Sequence, residues 1–526
     1  MKISSLKEKK GLMKNIICFV MCALLLSACT MRTRPTTSKE RELRLESDLL
    51  EMFKDQEEVK GPVTLYEALA RTLKYNIDYR IKLMEEAVEH GSLKVTRFDM
   101  LPTLTYNSGY HKRSEFTGAK SQSLIDGTQS LVASTSQERR YRDQSLAFSW
   151  NILDFAVSFV RSKQQANQLL IADEIRRKAI QNIVLDVINA YWRVVAVQAV
   201  KNDFEAVFVD TLAAMKRAEK IETELLQPPL NALQNQQSLL DLNQKLLEFK
   251  KQMKSSTYQL ASLMNLKFGS NYEVIIPDKT ALPVVPVGSI ETLEETALLS
   301  RSELREEDYK KRIHRLEVRK AIIQMIPGLE LNVTRNHTDN GYTFNPNWTE
   351  ITRRMTYNLL NILSGPGRWK YAKTVQKLED VRRLALSMNV ITQVHLSLED
   401  YQQSLQSYQL AKKQQDIKDR IAVHIEAAMK ADATNELESI LSRMRKLSAK
   451  MRSGLTYAEL QGAAARIYHS IGIDRTPAMV EGYDIPSLAK ALKAAMEKET
   501  ILQGGIVQGG VASREVKEPE QEKKKL

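Results

Sequence analysis

Beyond position 29 the chain has no cysteine: Cys18, Cys22 and Cys29 are the three in 526 residues. A disulfide framework and a thiolate metal site are thereby excluded for nearly all of it. Glycine and proline are sparse, 20 and 14 residues, and aromatics make up 6%. That composition argues against disorder, collagen-like sequence and a β-sandwich, and for a helix-rich protein. Catalytic signatures are missing too. The histidines, at 90, 111, 314, 337, 395, 424 and 469, stand singly. There is no His-Glu-x-x-His, no phosphate-cradling glycine loop and no nucleophile elbow, so the chain reads as a non-enzyme without cofactor or metal. His395, in the seam Leu384, Met388, Ile391, His395, Leu398, reads as a packed core histidine. The net charge of +13 is interleaved with acids rather than clustered, which excludes nucleic acid as a partner.

The N-terminus accounts for the cysteines. Lys2, Lys7, Lys9, Lys10 and Lys14 precede an apolar run, Ile16 to Leu26, that is too short to span a bilayer and reads as a secretory core. The following Leu26-Ser27-Ala28-Cys29 resembles a bacterial lipobox, which implies a leader over 1–28 and acylation of Cys29. Thr30, rather than Asp, implies an outer-membrane address. Loss of the leader removes five Lys and one Glu and lowers the charge to +9.

The rest reads as two halves of one architecture. Each has an opening helical arm (65–100 and 293–325), a strand pair, a very long helix (157–224 and 368–430) and a return helix (230–265 and 434–470). Tyr191 follows Asn151 by 40 residues, and Tyr401 follows Asn361 by the same 40. Apolar positions such as Ile180, Val184, Val187, Tyr191, Val194 and Leu239, Leu242, Leu246, Phe249, Met253 alternate steps of four and three, as coiled-coil seams do. Pro228-Pro229 ends the first long helix, and a proline-rich strap over 271–290 joins the halves. The expected organisation is leader 1–28, linker 29–60, first repeat 61–270, connector 271–290, second repeat 291–475 and a tail 476–526. Gly504-Gly505, Gly509-Gly510 and the run Lys523-Lys524-Lys525 make that tail read as a flexible, solvated end.

Four segments alternate apolar and small or polar residues: 103–110, 145–152, 329–334 and 355–359. Each is about the length of a tilted membrane strand. Four strands alone leave two open edges, which hydrocarbon does not tolerate, so several chains must pool them. The polar loops, 112–144 and 336–354, suit an outside face.

These features are similar to the TolC-type outer-membrane efflux factors over roughly 60–475. The resemblance is carried by Thr64-Leu65-Tyr66-Glu67-Ala68-Leu69-Ala70, Tyr75-Asn76-Ile77-Asp78-Tyr79-Arg80, Leu101-Pro102 and Phe148-Ser149-Trp150-Asn151-Ile152-Leu153-Asp154. Second-half echoes are Arg301-Ser302-Glu303-Leu304-Arg305 and Ile326-Pro327. The resemblance implies a mainly α fold with a membrane β part: a homotrimer with a twelve-stranded β-barrel continued by an α-helical barrel of coiled-coil hairpins. It implies a passive exit duct for drugs or other small molecules, fed by an RND- or ABC-type inner-membrane transporter through a periplasmic adaptor. The outlet of a type I protein secretion system, and a periplasmic coiled-coil adaptor or structural lipoprotein, are the alternative readings. The family places adaptor contacts at the hairpin tips, here Gln227, Pro228, Pro229, Asn231 and Thr434, and an acidic entrance ring near Asp432, Glu436 and Glu438. Arg139, Arg140, Arg142, Arg353 and Arg354, read as lying just before descending strands, are candidate lipopolysaccharide contacts, or positive loop ends kept out of hydrocarbon.

Overall fold

The computed structural model describes residues 34–509 apart from 55, 131, 225–227, 278–280, 287, 432, 475–481 and 483. Cys29 with its leader, Gln227, Asp432 and the lysine run at 523–525 lie outside the described residues. The chain divides after Gln56 into two compact units. The first contains helix α1 (Ser38–Met52), started by a capping box in which the Thr37 hydroxyl and the Glu40 carboxylate each accept the other's backbone N–H.

The second unit opens with α2 (Leu65–Tyr75) and α3 (Ile77–Phe98), so the expected single arm is kinked at Asn76. The corresponding arm of the second half is likewise two helices, whose joint is Arg301. Asn76 and Arg301 both have extended backbones, with ψ 127° and 128°. Each joint reaches the end of a return helix. Asn76 Nδ2 donates to Leu263 O at 3.3 Å, and Arg301 Nη1 donates to His469 O and Ser470 O at 3.2 Å. Those carbonyls lie in the last turn of their helices, where helical N–H partners run out, and the joints add side-chain donors there.

Strands β1 (Thr103–Lys112) and β2 (Arg140–Asn151) follow, then α4 (Ile152–Gln198) and α5 (Lys201–Thr223). The expected unbroken rod over 157–224 is corrected: the helix breaks at Ala199-Val200 and the two axes differ by 47°. Val194, Val195, Val197 and Val200 crowd this segment, and β-branched side chains hold a helix poorly. The return helix is α6 (Pro229–Leu263).

The strap then crosses the bundle, fixed by side chains of the long helices. Gln198 both donates to Val274 O (3.0 Å) and accepts from Val274 N (2.9 Å). The Tyr191, Tyr457 and Tyr468 hydroxyls donate to Ile275 O, Ala281 O and Val284 O. Burial pushes the Tyr191 phenol up to about 12, so it remains a donor at any physiological pH.

The second half repeats the construction: α7 (Ile290–Ser300), α8 (Ser302–Ile323), β3 (Gly328–Thr338), β4 (Asn347–Thr356), α9 (Leu360–Lys430) and α10 (Glu436–Ser470). Helix α9, with 71 residues, is about 105 Å long. His395 on it is half-exposed and meets Glu294 at 2.7 Å, which corrects its reading as a core residue. The tail also differs from expectation. Helix α11 (Ile485–Gly509) runs through Gly504 and Gly505, and its Ile485, Leu492 and Met496 join the cluster around Leu69, Val187, Tyr191 and Leu260.

The sheet is antiparallel throughout, in the order β1-β2-β3-β4. The fourth strand was expected at 355–359 but occupies Asn347–Thr356, so Tyr357, Asn358 and Leu359 lie past its end. Backbone pairing with β3 carries it through residues too polar to announce a strand.

Candidate functional site

At the tips the two hairpins are joined by a ladder of charge. Asp203, Asp210 and Arg217 recur every seven residues on α5, and on antiparallel α10 Lys450, Arg443 and Glu436 recur at the same interval. Asp203 meets Lys450 at 2.7 Å, Asp210 meets Arg443 at 2.5 Å, and the Arg217 guanidinium forks onto the Glu436 carboxylate. Beneath the ladder, Val207 and Ala214 of α5 pack with Leu239, Leu242 and Leu246 of α6 and with Ile440, Met444 and Leu447 of α10. The charged side chains are half-exposed, so each pair is worth only about 0.2–1 kcal/mol. Their seven-residue spacing fixes register, since a one-turn slip breaks all three.

Two of the three entrance acids read from the sequence are therefore not bare. Glu436 belongs to the ladder, and Glu438 meets Arg445 at 2.8 Å. Asn435 Oδ1 accepts the Glu438 N–H at 2.8 Å and caps α10. The ladder pairs were missed because their partners lie more than two hundred residues apart in sequence. Their signal was the seven-residue recurrence of opposite charges.

The tips are also unequal. Arg217 reaches the first residue of α10, yet α5 continues to Thr223, about 9 Å further. On the projecting end, Pro228 O accepts the N–H groups of Asn231 and Ala232 to start α6. Ala232 is buried, whereas Leu230 and Leu233 are exposed. Thr434 lies in the shorter second tip.

No single described helix is long and apolar enough to cross a membrane. The sheet has two unlike faces, because directly paired residues share a face. One carries the rows Leu104–Phe148–Val333–Ile351, Tyr106–Leu146–Arg335–Thr349 and Trp150–Leu331–Arg353. The other carries Thr103–Ser149–Asn332–Thr352, Thr105–Ala147–Thr334–Glu350 and the pair Gly109–Asp143. On this polar face His111 meets Asp143 at 3.0 Å, and its ring stacks on Tyr141.

The five arginines are not one group. Arg140 and Arg142 lie inside β2 beside Arg139, at the end of the sheet that bears the loops. Arg353 and Arg354 are near the last residue of β4, at the opposite end, where the helices attach. Their reading as contacts at the loop end is corrected: the true strand begins eight residues earlier than the apolar pattern suggested. They also point apart, since Arg353 pairs with Leu331 on the apolar face and Arg354 with Glu330 on the polar face.

No protein-family model and no curated protein matches the chain. Solved structures do. The Campylobacter jejuni CmeC outer membrane channel is similar with a TM-score of 0.62 at 12% identity, over 80% of this chain and 91% of that one. The outer-membrane channel OprN gives 0.59 at 14% identity, over 78% and 89%. The open state of the Neisseria gonorrhoeae MtrE outer membrane channel gives 0.59 at 14%, over 78% and 88%. With its two hairpins and four-stranded sheet, the chain has the fold of the TolC-type outer-membrane channels.

Proposed function

We propose that the protein is the outer-membrane exit duct of a tripartite efflux system, working as a homotrimer without catalysis. The observation that carries this reading is that sheet and helices both end in raw edges. Among the described residues, β1 and β4 each have one unpaired side. Below them the helices form rows, α3-α4-α8-α9 near the sheet and α6-α5-α10-α9 near the tips. Both sides of each row expose apolar residues at coiled-coil spacing: Ile77, Ile81, Met84, Val88, Val95 and Phe98 on α3 and Val381, Leu384 and Met388 on α9 near the sheet; Leu233, Leu240 and Leu247 on α6 and Leu410, Ile417 and Ile421 on α9 near the tips. A row with two sticky sides and a sheet with two open edges are both completed by further copies related by rotation, β1 of one beside β4 of the next. Three copies give the twelve strands of a membrane barrel, its apolar face to lipid and its polar face to a water-filled lumen.

In this reading the sheet spans the outer membrane, Arg139, Arg140 and Arg142 face lipopolysaccharide phosphates, and acylated Cys29 adds a second anchor. The helices extend into the periplasm. The projecting first tip, with Pro228, Pro229 and Asn231, and the second tip with Thr434, receive the adaptor of an RND- or ABC-type pump. Glu436 and Glu438 act at the entrance as halves of ion pairs, so these two acids make the entrance less negative than unpaired carboxylates would. Small-molecule cargo follows from the lipobox resemblance.

Planar-bilayer recording of the purified protein tests the reading. A passive, voltage-independent conductance that rises when Arg217→Ala frees the tip is expected. A protein that never conducts, in either form, contradicts it.

A further inference from the structure

The apolar face of the sheet is interrupted by two cations, Arg335 and Arg353, whose rows are four residues apart along β3. At a barrel tilt of about 40° that is about 10 Å along the membrane normal. Both side chains are exposed and neither has a carboxylate within ion-pair distance among the described residues. Between them lies the fully apolar row Leu104–Phe148–Val333–Ile351, while beyond Arg335 the face turns polar at Ser108–Gln144–His337–Asn347. An arginine near hydrocarbon extends its guanidinium toward the nearer interface. Arg335 reaching to the loop side and Arg353 to the helix side widen the 10 Å gap toward the about 25 Å apolar band of membrane barrels. The midplane then falls at the Phe148–Val333 row, and the inner interface at the junction of sheet and helices.

That junction has a second cation. Trp150, in the same row as Arg353, meets the Phe155 ring edge-on at 5.9 Å, and Phe155 stacks on Phe159 at 6.4 Å. The Lys163 ammonium lies 4.4 Å from the Phe159 ring centre. The ring track continues the apolar face of the sheet over the first turns of α4, and Lys163 is folded back up along it. Indole, phenyl rings and cations in this order match the passage from hydrocarbon through the headgroup layer, which is about 6 Å deep per leaflet.

We propose that this inner rim is a phospholipid-binding belt, in which Arg353 from the sheet side and Lys163 from the helix side contact the phosphates of inner-leaflet lipids. The proposal rests on the reading of the sheet as the membrane part of the protein. It is tested with the assembled full-length protein in mixed micelles, by counting retained phosphatidylglycerol in native mass spectrometry. R353Q and K163Q are each expected to lower retention about fivefold. K250Q/K254Q on α6 is expected to have no effect, R353K to behave like the wild type, and inorganic phosphate not to compete. Unchanged retention in R353Q/K163Q overturns the site. So does a loss in R353K as large as in R353Q, or displacement of lipid by inorganic phosphate. A fluorophore on Ile351→Cys separates this from the parent reading: quenching by brominated acyl chains places the sheet in lipid whatever the retention result. Absence of quenching overturns the membrane reading, and this proposal with it.

Discussion

Single residues set the ends of the helices, and the two halves do it alike. After α6 and after α10 the chain turns through a left-handed residue, Asn265 at φ 56° and Gly472 at φ 72°, and the next N–H returns to the helix, Leu266 to Ala261 O and Ile473 to Tyr468 O. Both are Schellman ends. The surroundings differ, for a Cβ at Gly472 would lie 2.9 Å from Arg301 N and from Ser300 C. Gly472→Ala is expected to lower stability by about 2 kcal/mol in denaturant unfolding, from left-handed backbone cost and contact with the joint, whereas Asn265→Gly is expected to be nearly neutral. The same joint couples stability to pH. Burial, together with the nearby Arg301 charge, holds the His469 imidazole below its usual value. Burial pushes the Glu303 carboxyl up, but the charge and hydrogen bonds of Arg301 outweigh it and leave it below its usual value. For both, the unfolded chain binds protons first as pH falls. Stability is therefore lost downward, from about 6.5 for His469 and below 4.5 for Glu303. In His469→Gln, the fall in melting temperature between pH 7.5 and pH 5 should be smaller than in the wild type.

At the scale of elements, the long hairpins and strand pairs were legible because periodicity is local: seams in steps of four and three, alternation in steps of two. The features that were not legible depend on distant partners. Nothing near Asn76 or Arg301 reveals that the ends of α6 and α10 will need donors there. The break at Ala199-Val200 lies where Gln198 binds a strap more than seventy residues away. Strand β4 was misplaced because its outward residues Asn347, Thr349 and Arg353 are held by pairing with β3 rather than by apolarity. The internal landmark was also three residues off. Asn151 Oδ1 caps α4, but Asn361 lies inside α9, and Asn358 Oδ1 accepts from Leu360 N instead. The tip ladder makes a quantitative claim at this scale. Asp210→Arg and Arg443→Asp should each weaken the joint between the hairpins, and the exchanged pair should recover part of the loss. A double-mutant cycle in thermal unfolding is expected to give a coupling of about 0.5 kcal/mol, and zero coupling would mean that the pair does not hold the register.

At the level of the whole molecule, a single chain is left unfinished at its sheet edges and its helix rows. A sheet with an exposed apolar face and two open edges is an aggregation hazard unless the edges are joined, and helix rows with apolar stripes on both sides share that need. In the proposed assembly the lumen, the entrance and the lipid belt form only when the ring closes. Cryo-electron microscopy of the purified protein in lipid nanodiscs tests this most directly. The account predicts three copies around one axis, with β1 of each copy hydrogen-bonded to β4 of the next in a closed twelve-stranded barrel; a sheet that closes within one chain, or a barrel of any other strand number, would contradict it.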